Sequence, residues 1–111
     1  MRIAPLSQGI FFLVSGLWPV VHLRSFEAVT GRKRDKWLVQ AMGGLIAAVG
    51  AALVVGAAER PSRAVRTLGI ASAATLATAD LVFAGKGRIS PVYFADAAIE
   101  AGFVATWLAT A

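Results

Sequence analysis

Apolar residues fall in four blocks along the chain, and short polar stretches separate them. The blocks cover about residues 3–23, 37–58, 64–84 and 92–110. Each is close to the roughly 20 residues that an α-helix needs to cross a bilayer. The pattern therefore predicts an all-α integral membrane protein, a four-helix bundle with short loops. Residues 1–111 would form a single multi-pass transmembrane domain.

Composition supports a membrane protein over a soluble one. The 111 residues are 58% hydrophobic and 15% charged, against about 45–50% and about 25% in an average soluble domain. The net charge of +5 would suggest nucleic acid in a soluble protein. Here the basic residues flank apolar segments, which indicates lipid headgroups and no nucleic acid. The absence of cysteine excludes disulfides, thiolate nucleophiles and cysteine-ligated metals.

The distribution of basic residues predicts an orientation. Four spans place both termini on one side of the membrane. The first and third loops carry seven basic residues against four on the other side, so the positive-inside rule places both termini on the non-cytoplasmic side. We expect a bacterial-type inner membrane. The seven are Arg24, Arg32, Lys33, Arg34, Lys36, Lys86 and Arg88, and the four are Arg2, Arg60, Arg63 and Arg66.

Local signals mark helix starts and close packing. Ser90 followed by Pro91 is typical of an N-cap and the first helical position, and Asp35 is a candidate N-cap for the second helix. Gly43 and Ala47 form a small-x-x-x-small pair, which lets helix backbones approach closely in lipid. These features predict the start of the last helix and a tight contact made by the second.

One face of the predicted third helix is unusually small. Gly69, Ala73, Ala77 and Asp80 are spaced by three and four residues, so they share that face until it reaches a carboxylate. Hydroxyl side chains elsewhere on the helix make it polar for a lipid-facing segment. The sequence therefore predicts that this helix is central in the bundle and the most buried of the four.

Three acids in the last two apolar segments are the main chemical signal. Asp80 lies eight residues before Arg88 and Asp96 eight residues after it, so an antiparallel hairpin brings the two acids to one depth. Glu100 lies one helical turn beyond Asp96 on the same face. Acids at membrane depth are costly and usually face a bundle interior. Like charges this close cannot all ionise cheaply, so at least one acid is expected to stay protonated near neutral pH.

These groups predict a polar pocket that opens toward the cytoplasmic face. Other polar residues lie at a similar depth in the same leaflet, so they are also candidates for its lining. The candidate residues are His22, Gln40, Asp80, Tyr93, Asp96 and Glu100, with Glu27 closing the mouth. The plainest interpretation is that these groups satisfy one another as interhelical packing contacts. Three acids, a glutamine and a histidine at one depth favour a functional pocket.

Three functions fit such a pocket. The first is binding or transport of a cation, a proton or a small amine. The second is an intramembrane acid/base enzyme acting on a lipophilic substrate. The third is an accessory subunit of a larger membrane complex, and the small-residue helix faces also suit a homo-oligomer. The sequence does not identify a cofactor, and His22 with the three acids lacks the spacing of a metal site.

Overall fold

The computed structural model describes residues 3–60 and 62–109. Within them the chain forms five helices and no strand. Their bounds are α1 Ile3–Val21, α2 Leu23–Thr30, α3 Lys36–Ala57, α4 Arg63–Gly85 and α5 Tyr93–Ala109. The predicted all-helical class is confirmed. Arg2 and residue 110, which entered the charge count and the last predicted helix, lie outside the described residues.

Three helices are long and apolar enough to cross a membrane: α1, α3 and α4. The fifth helix, α5, has 17 residues and is about 25 Å long at 1.5 Å per residue. The longest dimension of the molecule is 41 Å, close to the thickness of a bilayer with its headgroups, about 40–45 Å. The structure thus supports a helical membrane protein with three candidate spans.

The connection after the first span contains a helix that the sequence prediction treated as a loop. His22 has a non-helical backbone (φ −145°, ψ 79°) that separates α1 from α2. Its ring Nδ1 accepts the Ser25 backbone N–H at 3.3 Å, as an N-cap does. The Trp18 indole packs edge-on against Phe26 at 5.3 Å between ring centroids and donates to the Ser25 hydroxyl at 2.8 Å. These contacts hold α2 against the end of α1.

The helices α1 and α3 touch backbone to backbone. A Cβ atom added at Gly16 would lie 2.5 Å from the Gly43 carbonyl oxygen and 2.6 Å from the Ala47 nitrogen. About two turns further along α3, a Cβ at Gly50 would lie 2.7 Å from the Gly9 carbonyl oxygen. Only glycine permits this approach. The tight contact predicted for Gly43 and Ala47 is present, and its glycine partner on α1 is Gly16.

The prediction that the helix over 64–84 is central and most buried is wrong. Among residues 3–60 and 62–109, α1 is the helix that packs on every other helix. In the candidate membrane-spanning segment of α1, 39% of the residues are buried, against 22% in each of the segments of α3 and α4. The hydroxyls that made α4 look too polar for lipid bond within the helix: Thr75 donates to the Ala71 carbonyl at 2.7 Å and Thr78 to the Ala74 carbonyl at 2.8 Å. A hydroxyl satisfied by its own backbone costs little against lipid.

The small face of α4 packs on α5. Gly69 accommodates the indole ring of Trp107, which an added Cβ would overlap. The Trp107 indole donates to the Gln8 side-chain oxygen at 2.6 Å, and the Gln8 amide donates to the Gly69 carbonyl at 2.9 Å. Arg66 donates to the Trp107 carbonyl at 2.8 Å. We call Gln8, Arg66, Gly69 and Trp107 the polar clasp, and it joins α1, α4 and α5 at one end.

Candidate functional site

The carboxyl groups lie between α4 and α5, near the end opposite the polar clasp. A turn joins these two helices, with Lys86 as the C-cap of α4 and Gly87 at φ +73°. Ser90 then orders the start of α5, because its hydroxyl accepts the Val92 N–H at 3.3 Å and its carbonyl accepts the Tyr93 N–H at 3.0 Å. The hairpin therefore brings together acids that are far apart along the chain.

Two of the three acids are deeply buried. The Asp80 residue is 6% exposed and Glu100 is 1% exposed, while Asp96 is half-buried between them. The Asp96 carboxyl is a near neighbour of both Asp80 and Glu100. Apart from these carboxyl groups, no donor in the described part of the chain reaches Asp80 Oδ2 or Glu100 Oε1. Two buried polar atoms thus lack the partners that such atoms normally have.

These acids line a pocket of about 560 Å³ whose remaining walls are mostly apolar. Its volume falls in the range of small-molecule sites, about 300–1,000 Å³. Aromatic rings form much of the wall: Phe11, Phe12, Trp18, Phe26 and Tyr93. We call this cavity the acidic pocket. It combines a low-dielectric interior, aromatic faces and a patch of carboxyl oxygens.

A lysine sits at the rim of the acidic pocket. The Lys33 ammonium lies 4.6 Å from the centroid of the Tyr93 ring and 5.8 Å from that of Phe26. It also donates to the Thr30 carbonyl at 3.0 Å. Both distances are within the range of cation–π attraction. The aromatic rings at the rim therefore already stabilise a cation, the Lys33 ammonium group.

The pocket fills a gap between α3 and α5. These two helices are almost without direct contact in the described part of the chain, and α3 is attached through α1. Residues of both helices line the cavity, among them Met42 on α3 and Ile99 on α5. Met42 is 47% exposed and Ile99 is 42% exposed. One side of the acidic pocket therefore adjoins apolar surface that would face lipid.

Four of the seven predicted residues lie together and three lie elsewhere. Asp80, Tyr93, Asp96 and Glu100 line the acidic pocket, whereas His22, Gln40 and Glu27 are not among the described residues that line it. His22 is exposed and caps α2. The Gln40 amide donates to the Pro19 carbonyl at 3.2 Å, which ties α3 to α1. The structure does not bring these three residues to the cavity, because matching depth does not fix the direction in which a side chain points.

Glu27 braces the connection between α2 and α3 instead of closing the pocket. Its carboxylate accepts the Lys33 backbone N–H at 2.7 Å and pairs with the Lys36 ammonium at 3.0 Å. The Lys33 hydrogen bond and then the Lys36 hydrogen bond lower the pKa of Glu27 below its ordinary value, since both favour the charged form. This anchored loop carries Lys33 to the pocket rim.

Sequence reasoning missed the aromatic wall and the polar clasp. Phe11, Ser15 and Trp18 are spaced by four and three residues, so they share a face of α1 and all line the acidic pocket. That spacing was a usable signal for a shared face. Gln8 gave less warning, because one glutamine near the start of an apolar segment resembles a headgroup-level residue. The structure buries it completely.

The acids are not placed as ligands of one metal ion. Within residues 3–60 and 62–109, no group of three His, Cys, Asp or Glu side chains has a geometry that would hold a metal.

No family model, curated protein or solved structure gives a significant match to this chain.

Proposed function

We propose that the protein binds a small lipophilic cation, such as an organic amine, in the acidic pocket. The observation that carries this proposal is the pair of buried carboxyl oxygens, Asp80 Oδ2 and Glu100 Oε1, that lack a donor and belong to residues lining an aromatic cavity. A cationic nitrogen would supply the missing donor or charge. The surrounding rings would stabilise the same charge through their faces.

Proton exchange would accompany binding. Clustered carboxyl groups in a low-dielectric site resist full ionisation unless a positive charge is adjacent. A bound cation would supply that charge, so its arrival would release a proton and its departure would take one up. This coupling is the minimum that a proton-linked transporter needs, and we propose transport as the use of the pocket.

The gap between α3 and α5 would give the ligand access from the bilayer. Supporting this route are the sparse contact between the two helices and the exposed apolar side chains of Met42 and Ile99 at its edges. A lipophilic amine partitions into the bilayer, so it would reach the acids without crossing the charged loops.

This function assumes four spans with both termini on the non-cytoplasmic side. A fourth span by α5 is supported by its pairing with α4 along the hairpin and by its length of about 25 Å, which tilting or local thinning of the bilayer accommodates. The acidic pocket would then open toward the cytoplasm. A homo-oligomer or a larger membrane complex would cover part of the apolar surface.

Binding of radiolabelled tetraphenylphosphonium, an aromatic cation, to the purified protein tests the proposal. Asp80→Asn and Asp96→Asn keep the side-chain shape and lose the charge. We expect each to weaken binding by about tenfold or more. Breaking a buried charge pair costs more than the roughly 1.4 kcal/mol that corresponds to a tenfold change in affinity. The proton release that accompanies binding, followed with a pH-sensitive dye, should decrease in the same variants.

Asp35→Asn is the matched control, because Asp35 is exposed and its side chain caps no helix. It should bind like the wild type. Wild-type binding by both pocket variants would contradict the proposal. Failure of either pocket variant to fold, judged by thermal unfolding, would show that the acids are structural and would favour an accessory subunit.

A further inference from the structure

Two loops that are far apart in the sequence form a second pocket, of about 550 Å³. One loop joins α2 to α3 and the other joins α4 to α5. Four basic residues contribute to the lining: Arg32, Lys33, Arg34 and Arg88. We call this cavity the basic pocket.

Two glycines shape the loops so that they meet. Gly31 has φ +95° and Gly87 has φ +73°, a backbone region that favours glycine. A Cβ at Gly31 would lie 3.4 Å from the Ser90 Cβ, so the two loops are in direct contact. The basic residues of both loops consequently face one concavity.

The charge of the basic pocket is largely uncompensated. Its lining has four basic side chains and one acid, the exposed Asp35. Glu27 is engaged by the Lys33 backbone and the Lys36 ammonium. In the part of the chain that the structure describes, the guanidinium groups of Arg34 and Arg88 make no ion pair. Like charges held together without counter-charges repel one another, and a bound anion relieves that repulsion.

We infer that the basic pocket binds a phosphate group. The planar guanidinium presents paired donors that match phosphate oxygens, and arginine is the residue best suited to this contact. The pocket lies where a phospholipid headgroup would reach it. It shares Thr30, Lys33, Leu38, Val39 and Ile89 with the acidic pocket. A phosphate carrying an acyl chain would therefore find apolar wall beside its headgroup site.

Native mass spectrometry of the purified protein tests this inference with three probes: phosphatidylglycerol, phosphatidylcholine and inorganic phosphate. The variant carries both Arg34→Gln and Arg88→Gln. The control carries Arg60→Gln and Arg63→Gln, which removes the same charge from exposed positions outside the pocket. We expect retention of phosphatidylglycerol to fall by about tenfold or more in the variant and to be unchanged in the control.

The probes separate the sources of the phosphate. Retention of phosphatidylglycerol without binding of inorganic phosphate identifies a lipid headgroup site. Binding of millimolar inorganic phosphate that the Arg34/Arg88 variant loses identifies a soluble phosphate compound. Equal losses in variant and control would show bulk attraction to a basic surface and overturn the inference. Equal retention of phosphatidylcholine and phosphatidylglycerol that the Arg34/Arg88 variant does not lower, with no inorganic phosphate bound, would show that the acyl chains alone hold the lipid and would overturn it too. None of these outcomes depends on cation binding at the acidic pocket.

Discussion

Buried polar residues in this protein fall into two groups that differ in how well they are satisfied. Gln8 is completely buried, and both ends of its amide have partners. Asp80 and Glu100 are as deeply placed, yet each keeps an oxygen without a donor outside the carboxyl cluster. A satisfied buried amide specifies packing, whereas an unsatisfied buried acid is costly to keep. At this scale, the contrast identifies Gln8 as a packing residue and supports the proposal made above for Asp80 and Glu100.

Replacing Gln8 by Met should destabilise the protein by about 1–3 kcal/mol, because the Gly69 carbonyl and the Trp107 indole both lose this partner inside the bundle. Reversible unfolding in detergent measures the change. Gln40→Met is the comparison: its amide makes one part-buried hydrogen bond, so the loss should be near the roughly 0.6 kcal/mol average for such contacts in membranes. Equal effects of the two substitutions would argue against the structural importance of the polar clasp.

Glu27 should titrate below 4.5, the ordinary value for its pKa. Since the folded-state pKa is depressed, the stabilisation is present above the ordinary value and is lost as the pH falls through the lowered one. An NMR titration of the Glu27 carboxyl carbon gives the midpoint. Lys36→Gln should raise the midpoint, and Lys86→Gln should leave it unchanged. A midpoint at or above 4.5 in the wild type would contradict the contacts described.

Among the helices, backbone contact distinguishes the pairing of α1 with α3 from the pairing of α4 with α5. The first pair is held by glycines that face one another, and the second by Trp107 seated on Gly69. Direct backbone approach maximises dispersion contacts where lipid offers no hydrophobic driving force. Each pair is therefore a firm unit, and the acidic pocket lies between the two.

Two adjacent glycines of α3 provide a matched test of this packing. A Cβ on Gly43 would lie 2.8 Å from the Pro19 Cγ and still closer to the Gly16 carbonyl oxygen, whereas a Cβ on Gly44 would meet nothing within 4 Å. Gly43→Ala should lower the free energy of unfolding by about 1–3 kcal/mol through overpacking. Gly44→Ala should be neutral or raise it by up to about 1 kcal/mol, as alanine favours helix. Equal stability of the two variants would contradict the close approach of α1 and α3.

For the whole molecule, the important feature is that its two ends differ. The polar clasp ties α1, α4 and α5 together at one end. Both pockets lie toward the other end, and α3 and α5 are almost without direct contact in the described residues.

Topology can be mapped with single cysteines, because the chain has none of its own. Cysteine at Arg32 and at Lys86 should react with an impermeant reagent from the same side of the membrane, since the loops that carry them meet. Cysteine at Arg63 should react from the opposite side, because α4 is long enough to span. Labelling of positions 32 and 63 from one side would contradict a spanning orientation of α3 and α4.

Sequence alone was sufficient for the helical membrane class, because a length of apolar residues near the bilayer thickness is a local property. The convergence of Asp80 and Asp96 was also predictable, since an antiparallel hairpin with a short turn aligns residues at equal distance from the turn. Gly43 and Ala47 likewise signalled close packing through their spacing alone.

Only the tertiary structure decided which helix is central and which side chains face the acidic pocket. Those outcomes depend on the rotation of each helix about its own axis. Several helices carry small residues, and the rotation depends on which of these small faces pack together. Gly9 and Gly16 fix the rotation of α1 against α3 because their partners Gly50 and Gly43 have matching spacing on that helix. His22 and Gln40 do not line the acidic pocket because they hydrogen-bond to nearer partners. His22 accepts from Ser25, and Gln40 donates to the Pro19 carbonyl. The basic pocket exists because two loops meet in space, a contact that no single stretch of sequence encodes.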